Sequence, residues 1–197
     1  MRMGAVILAA GSSSRLGRPK QLVSYRHKNL LQHVIDLVAA FHFSASVMVL
    51  GARADEIKNQ INAKAVTIAH NEQWPEGIAS SIRLGVSESL KINPSLDSIL
   101  FLLSDQPYIT TELIQELINT HQMGSHPITA SSYRQQIGVP AIFQKQYFQE
   151  LMNLRGDVGA KKIMMQYTEE VKKVAFEQGY FDIDTEEDVE QLKNNIG

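Results

Sequence analysis

The sequence predicts an α/β fold: a single-domain, doubly wound, mostly parallel sheet with helices on both faces. Three observations carry that expectation. Short, strongly apolar runs such as Ala5–Leu8, Val47–Leu50 and Ser98–Leu103 have the length and two-sided hydrophobicity of buried parallel strands. Segments with apolar residues at helical spacing lie between them, so strands alternate with helices over the first ~125 residues. Finally, three strands discharge into irregular polar loops, Ala9–Lys20, His70–Gly77 and Ser104–Pro107. In such a sheet those loops gather on one rim, beyond the carboxyl ends of the strands, where ligands bind.

The elements follow in order. After the first loop, Leu30, Leu31, Val34, Ile35, Leu37, Val38 and Phe41 recur at helical spacing and predict a helix over Asn29–His42. Val47–Leu50 is a strand stopped by Gly51, Asp55–Ile61 a short helix and Ala65–Ala69 a strand. His70–Gly77 reads as loop, punctuated by Pro75 and Gly77. Ile82, Val86 and Leu90 share one face of a helix over Ile78–Leu90, broken at Asn93-Pro94. Ser98–Leu103 is the most hydrophobic strand and is expected at the centre of the sheet. Thr110 or Thr111 caps the next helix, which ends before Gly124. Beyond it, Ile128–Tyr133, Pro140–Phe143 and Val171–Phe176 read as strands, and Lys145–Asn153 and Val158–Tyr167 as helices. Thr185-Glu186-Glu187-Asp188 announces a last helix to Asn194, a capping box with Asp in place of Glu. With no repeat or linker, the chain reads as one domain, with a first half of about 1–123 and a second of about 124–197.

Composition excludes several classes of function. The 197 residues are 44% hydrophobic and 20% charged, with 19 basic and 21 acidic side chains. A formal charge of −2 argues against a general nucleic-acid partner, which needs a basic excess. The chain has no cysteine, which rules out disulfides, thiolate metal sites and cysteine nucleophiles. No leader pattern opens the sequence and no apolar stretch approaches the ~20 residues of a membrane span, so a cytoplasmic protein without a membrane partner is expected.

The chemistry concentrates in the rim loops. Gly11 to Lys20 combines small residues, hydroxyls and the cations Arg15 and Lys20, a composition that lets backbone N–H groups approach phosphate. It matches neither the dinucleotide fingerprint nor the Walker spacing. Its bland alternative is a turn with solvated cations. Asp105, directly after the most apolar strand, is placed to hold a hard divalent cation; alone, it reads better as a turn or capping aspartate before Pro107. A carboxylate facing a cationic, N–H-rich loop is the minimum equipment for a metal-bound triphosphate. Of Asp182 and Asp184, the second has a local alternative as a helix cap, which leaves Asp182 the stronger second metal ligand. In the stretch Asn71–Gly85, Gly77 can admit a flat base and Ser80 or Ser81 can bond its edge, while Trp74 reads as packing rather than base stacking. There is no Ser-His-Asp pattern or nucleophile elbow.

Leu8-Ala9-Ala10-Gly11-Ser12-Ser13-Ser14-Arg15-Leu16-Gly17-Arg18-Pro19-Lys20 resembles the signature loop of the sugar-nucleotide and cofactor nucleotidyltransferases, which have a Rossmann-like fold. Within them it is similar to the MobA/MocA-like molybdenum cofactor guanylyl- and cytidylyltransferases. The resemblance extends through Asn71, Trp74, Gly77, Ser81 and Gly85, Asp105-Gln106-Pro107, Gly138-x-Pro140, Gly156-Asp157-x-Gly159-Ala160 and Asp182-Ile183-Asp184-Thr185. Ala10, Gln106 and the Gly17-Arg18-Pro19-Lys20 ending resemble the CTP-using branch, where guanylyl enzymes have Gly, Met and a Gly-Gly-x-Asp-Lys ending. Ser81 matches a serine that contacts cytosine in related cytidylyltransferases.

The resemblance implies transfer of CMP from CTP to the terminal phosphate of molybdopterin with release of pyrophosphate. It implies Arg15, Lys20 and Asp105 as catalytic residues, and Leu8, Ala9, Ala10, Gly11, Lys20, Gly77 and Ser81 as the nucleotide site. Asp105 and Asp182 are then the ligands of Mg2+, with Mn2+ as a substitute. Gly138-Val139-Pro140 would wall the acceptor site, and docking to a client molybdoenzyme for delivery of the product is a further interaction that the resemblance implies. The alternatives are GMP transfer to molybdopterin, nucleotidyl transfer to a sugar or polyol phosphate, and a non-catalytic nucleotide sensor.

Overall fold

Met3–Ala9 forms β1, buried along its whole length, in a computed structural model that describes residues 1–196. It pairs in parallel with β4 (Ala45–Leu50) on one side and β6 (Ser98–Leu103) on the other, so Val6 lies beside both Val47 and Phe101. Beyond β4 comes β5 (Thr67–His70), also parallel. Beyond β6 lie β8 (Gln136–Gln144), β7 (Ile128–Tyr133) and β9 (Val171–Ala175), giving a seven-stranded order β5-β4-β1-β6-β8-β7-β9. Within this sheet β8 runs against both neighbours, while the other pairings are parallel. The strand order reverses direction between β1 and β6. That switch point is where the first and third rim loops leave the sheet.

Alternation along β1 divides the core. Ala5, Ile7 and Ala9 face a layer with α1 (Leu30–Ala39) and α4 (Thr111–Met123), against Val34, Ile35, Ile114 and Leu117. Val6 and Leu8 face α3 (Ile78–Ile92), α5 (Phe148–Asn153) and α6 (Lys161–Gln166) through Ile82, Val86, Leu151 and Ile163. Helices therefore cover both faces, as the apolar strands require. Side chains at α1 and α4 start the helices as their sequences suggest: Asn29 accepts from Gln32 N–H at 2.7 Å and Thr110 from Leu113 N–H at 3.2 Å. Gly85 brings α3 close to the sheet, because a Cβ there would stand 2.5 Å from Val6 Cγ1.

A third, smaller cluster joins the two ends of the chain. Leu16, Val23, Tyr25 and Leu30 pack with Phe181, Ile183, Val189 and Leu192, the last two on α7 (Glu186–Ile196). Ile183 N–H also donates to Asp105 C=O at 3.0 Å, so the segment before α7 runs alongside the loop after β6.

Several expected boundaries move. The strand placed at Ala65–Ala69 is Thr67–His70, and the short helix at Asp55–Ile61 is α2, Ala54–Lys58. Lys145–Asn153 divides into a 3-10 turn at Lys145–Tyr147 and α5. The helix read over Val158–Tyr167 contracts to Lys161–Gln166, because residues 155–159 form a loop laid against the start of α3. A two-residue ribbon, β2 (Ser24–Tyr25) with β3 (Lys28–Asn29), follows the signature loop and has no counterpart in the sequence reading.

Candidate active site

At the β1/β6 switch point the rim loops enclose a cleft of about 380 Å³. Leu8, Ala9, Ala10, Gly11 and Ser12 line one side, Leu103, Ser104 and Asp105 another, and Trp74, Gly77, Ile78 and Ser81 the third, with Lys20 reaching in. The first loop keeps its shape through Gln21, a buried side chain whose amide donates to Ala9 C=O at 2.9 Å and Gly11 C=O at 3.3 Å. Ser13 Oγ accepts from Lys20 N–H at 3.1 Å. The chain reverses there so that Lys20 points back over its own loop.

Lys20 is the cation of the cleft. Its Nζ stands 2.5 Å from Asp105 Oδ2 and 2.8 Å from Asp184 Oδ1. Burial alone would lower its pKa, but the two carboxylates outweigh that and raise it. Asp184 also takes Arg15 at 2.6 Å, so it joins both cations of the signature loop. Lys20 and Arg15 together outweigh the effect of burial on Asp184 and lower its pKa. Asp184 is therefore not the helix cap. That role belongs to Thr185 and Asp188: Asp188 Oδ2 accepts from Thr185 N–H at 2.8 Å, and Thr185 Oγ1 accepts from Asp188 N–H at 3.3 Å.

Asp182 forms no ion pair among the described residues, yet stands near enough to Asp105 and Lys20 to feel both charges. Burial first, then the Asp105 charge, push its carboxyl up to about 6. One oxygen of each, Asp105 Oδ1 and Asp182 Oδ1, is buried without a hydrogen-bond partner. Among the described residues no group of three or more histidines or carboxylates is assembled around a metal position. The structure thus brings together Lys20, Asp105 and Asp182 and adds Asp184. Of these only Lys20 and Asp105 line the cleft itself; Asp182 and Asp184 stand behind them, and Arg15, whose side chain is 70% exposed, also lies outside the lining.

The third wall depends on a close approach. Gly77 has φ of +116°, and a Cβ there would fall 2.7 Å from the backbone of Asp157. Glu76 holds that neighbouring loop in place, pairing with Arg83 at 2.5 Å and accepting from Gly156 N–H at 3.1 Å. Arg83 in turn donates to Leu154 C=O at 2.7 Å. Asp157, which lines the cleft, had no assigned role in the sequence reading beyond its place in a motif, and its position needed the long-range contact to become visible. Trp74 packs on the core cluster as expected and also lines the cleft.

A family model for the MobA-like NTP transferase domain matches residues 5–171. The chain belongs to that family. MobA-like architecture also accounts for the structural likenesses. Rv0371c from Mycobacterium tuberculosis H37Rv superposes with a TM-score of 0.85 at 27% identity, over 98% of each chain. A manganese complex of the same protein gives 0.81 at 25% identity, again over 98% of each chain. Nicotine blue oxidoreductase from Paenarthrobacter nicotinovorans is 32% identical over 129 residues, 65% of this MobA-like chain and 60% of that protein. The chain thus spans less than two thirds of the length of that relative. Among the described residues no helix is long and apolar enough to cross a membrane.

Proposed function

We propose that this MobA-like chain moves CMP from CTP to the terminal phosphate of a molybdopterin-type acceptor and releases pyrophosphate. The observation that carries the reading is the cleft at the switch point, lined by the signature loop, Lys20 and Asp105, with Asp182 close enough behind to feel the Asp105 charge. In the reaction an acceptor phosphate oxygen attacks the α-phosphorus of CTP and the bond to the bridging oxygen of the β-phosphate breaks. The attacking phosphate is already anionic, so no general base is needed. The work is to bring two anions together and to support charge on the leaving pyrophosphate.

Lys20 supplies the fixed positive charge at the triphosphate, and Arg15, tethered through Asp184, a second from outside the cleft lining. The backbone around Gly11 offers donors to the phosphates. Ala9, Ala10, Gly77 and Ser81 accommodate base and ribose, in a cleft within the size range of small-ligand pockets. Gly138-Val139-Pro140 of β8 continues the strand edge beside β6 and is assigned to the acceptor.

The residues fit a divalent cation. Three carboxylates, Asp105, Asp182 and Asp184, meet two cations, Lys20 and Arg15, so a triphosphate added to this cluster needs further positive charge. The unpartnered oxygens of Asp105 and Asp182 are hard donors for Mg2+, which commonly takes one or two carboxylates and completes its shell with phosphate oxygens and water. When bound, the cation neutralises phosphate charge. Mn2+, present in the Rv0371c complex, is the expected substitute.

The test is pyrophosphate release from CTP, GTP, ATP and UTP in parallel, with molybdopterin and with sugar or polyol phosphates as acceptors. Release with CTP and molybdopterin supports the reading. GTP as the favoured donor, or a sugar phosphate as the favoured acceptor, replaces it with the corresponding alternative. Tight nucleotide binding without release under any pairing indicates a sensor.

A further inference from the structure

Asn71 is almost fully buried in the loop after β5, beside the cleft but not among the residues lining it. Its amide is oriented by a group that can only donate. Gln73 N–H reaches Asn71 Oδ1 at 3.0 Å, so the oxygen must face that backbone and the NH2 group must face the other way. There Nδ2 donates to Ser80 Oγ at 2.8 Å and to Ser81 Oγ at 2.9 Å. The two hydroxyls then differ in what they have left. Ser80 donates its own proton to Gly77 C=O at 2.8 Å. Ser81 accepts from Asn71, and among the described residues its proton has no acceptor, although the side chain lines the cleft.

We propose that Asn71 is a positioning residue for base selection, which presents Ser81 to the cleft as a hydrogen-bond donor. The edge read by Ser81 is therefore one that offers an acceptor, such as the ring carbonyl or unprotonated ring nitrogen of cytosine. A ligand donor placed there would leave the buried Ser81 proton unsatisfied, which is the penalty that discriminates. The inference rests on the reading of the cleft as a nucleotide site.

The experiment is a double-mutant cycle on equilibrium CTP binding, followed by the fluorescence of Trp74, the single tryptophan of the chain and part of the cleft lining. In Asn71→Asp the carboxylate still accepts from Gln73 N–H but now draws the Ser81 proton away from the cleft. Asn71→Asp and Ser81→Ala are each expected to weaken CTP binding about tenfold. The double variant is expected to bind within about twofold of Ser81→Ala, because Asn71 acts through the hydroxyl. Equal weakening by Asn71→Asp in both backgrounds means a merely structural role and overturns the inference, as does unchanged binding by Ser81→Ala. Asn71→Ala run through the same cycle gives the same decision if the buried aspartate does not fold. A wild-type protein that binds no nucleotide overturns the nucleotide site itself, an outcome distinct from an additive cycle.

Discussion

Replacing Asp182 by asparagine is expected to stabilise the ligand-free protein at neutral pH and to do much less in acid. Burial, and after it the Asp105 carboxylate, push the Asp182 carboxyl from 3.8 up to about 6. Between those values the folded chain holds a proton that the unfolded chain has released. Stability therefore falls as pH rises through the window and levels out above the folded pKa. With these two values the ionised carboxylate costs about 1 kcal/mol at about pH 4.5 and about 3 kcal/mol at about pH 7.5. The amide keeps the shape and removes the charge, so the gain in Asp182→Asn should follow the same two figures as upper bounds. Urea unfolding monitored by far-UV circular dichroism at both pH values measures it, with wild type and variant side by side so that other titrations cancel. Saturating Mg2+ should shrink the gain at the higher pH, since a cation beside the carboxylates favours their charged form. An equal gain at both pH values, or a loss at the higher one, refutes the reasoning.

Lys20→Ala and Asp105→Ala should each lower pyrophosphate release by orders of magnitude while far-UV circular dichroism stays native, because both act at the cleft; near-wild-type release would contradict the assignment. Gly77→Ala should cost about 1–3 kcal/mol in urea unfolding, since the new methyl meets the Asp157 backbone and the positive φ disfavours a side chain. Asn29→Ala should cost about 1 kcal/mol by removing the side-chain acceptor at the start of α1; no measurable change would mean that the cap is replaced by water.

The central strands were readable because burial on both faces leaves an unbroken apolar run, and Ser98–Leu103 has the same bounds in sequence and structure. β8 was read short because Gly138 interrupts its apolar pattern, and its antiparallel direction is a property of its partners, not of its residues. Val158–Tyr167 looked helical because Val158 and Ala160 fall in phase with Ile163 and Met164; the first two instead serve the packing of a loop. In the site, small residues followed by cations marked the first loop, and a carboxylate after an apolar strand marked Asp105. Asp184 was ambiguous for a local reason, lying one residue before a capping threonine. Asn71 carried no chemical signal of its own, since an asparagine before a Trp-Pro turn has an ordinary local use.

The position of Asp182 and Asp184 also bears on how the site is built. The family match ends at residue 171, so both carboxylates lie beyond it, and it is contact geometry that relates them to the signature loop. Arg15 bonds Asp184 and Arg18 bonds Glu186 with two contacts of 2.9 Å, while Leu16 packs in the cluster with Ile183 and Val189. The loop thus has polar and apolar anchors on the same C-terminal segment, and that segment is fastened to the strand end by Ile183 N–H and Asp105 C=O. Exposed pairs such as Arg18–Glu186 add little stability alone. Under the proposed function their effect is positional, because they restrict a loop whose cations would then be in place before phosphate arrives. The early strand supplies the loop, the central strand supplies Asp105, and the last segment aligns the charges between them.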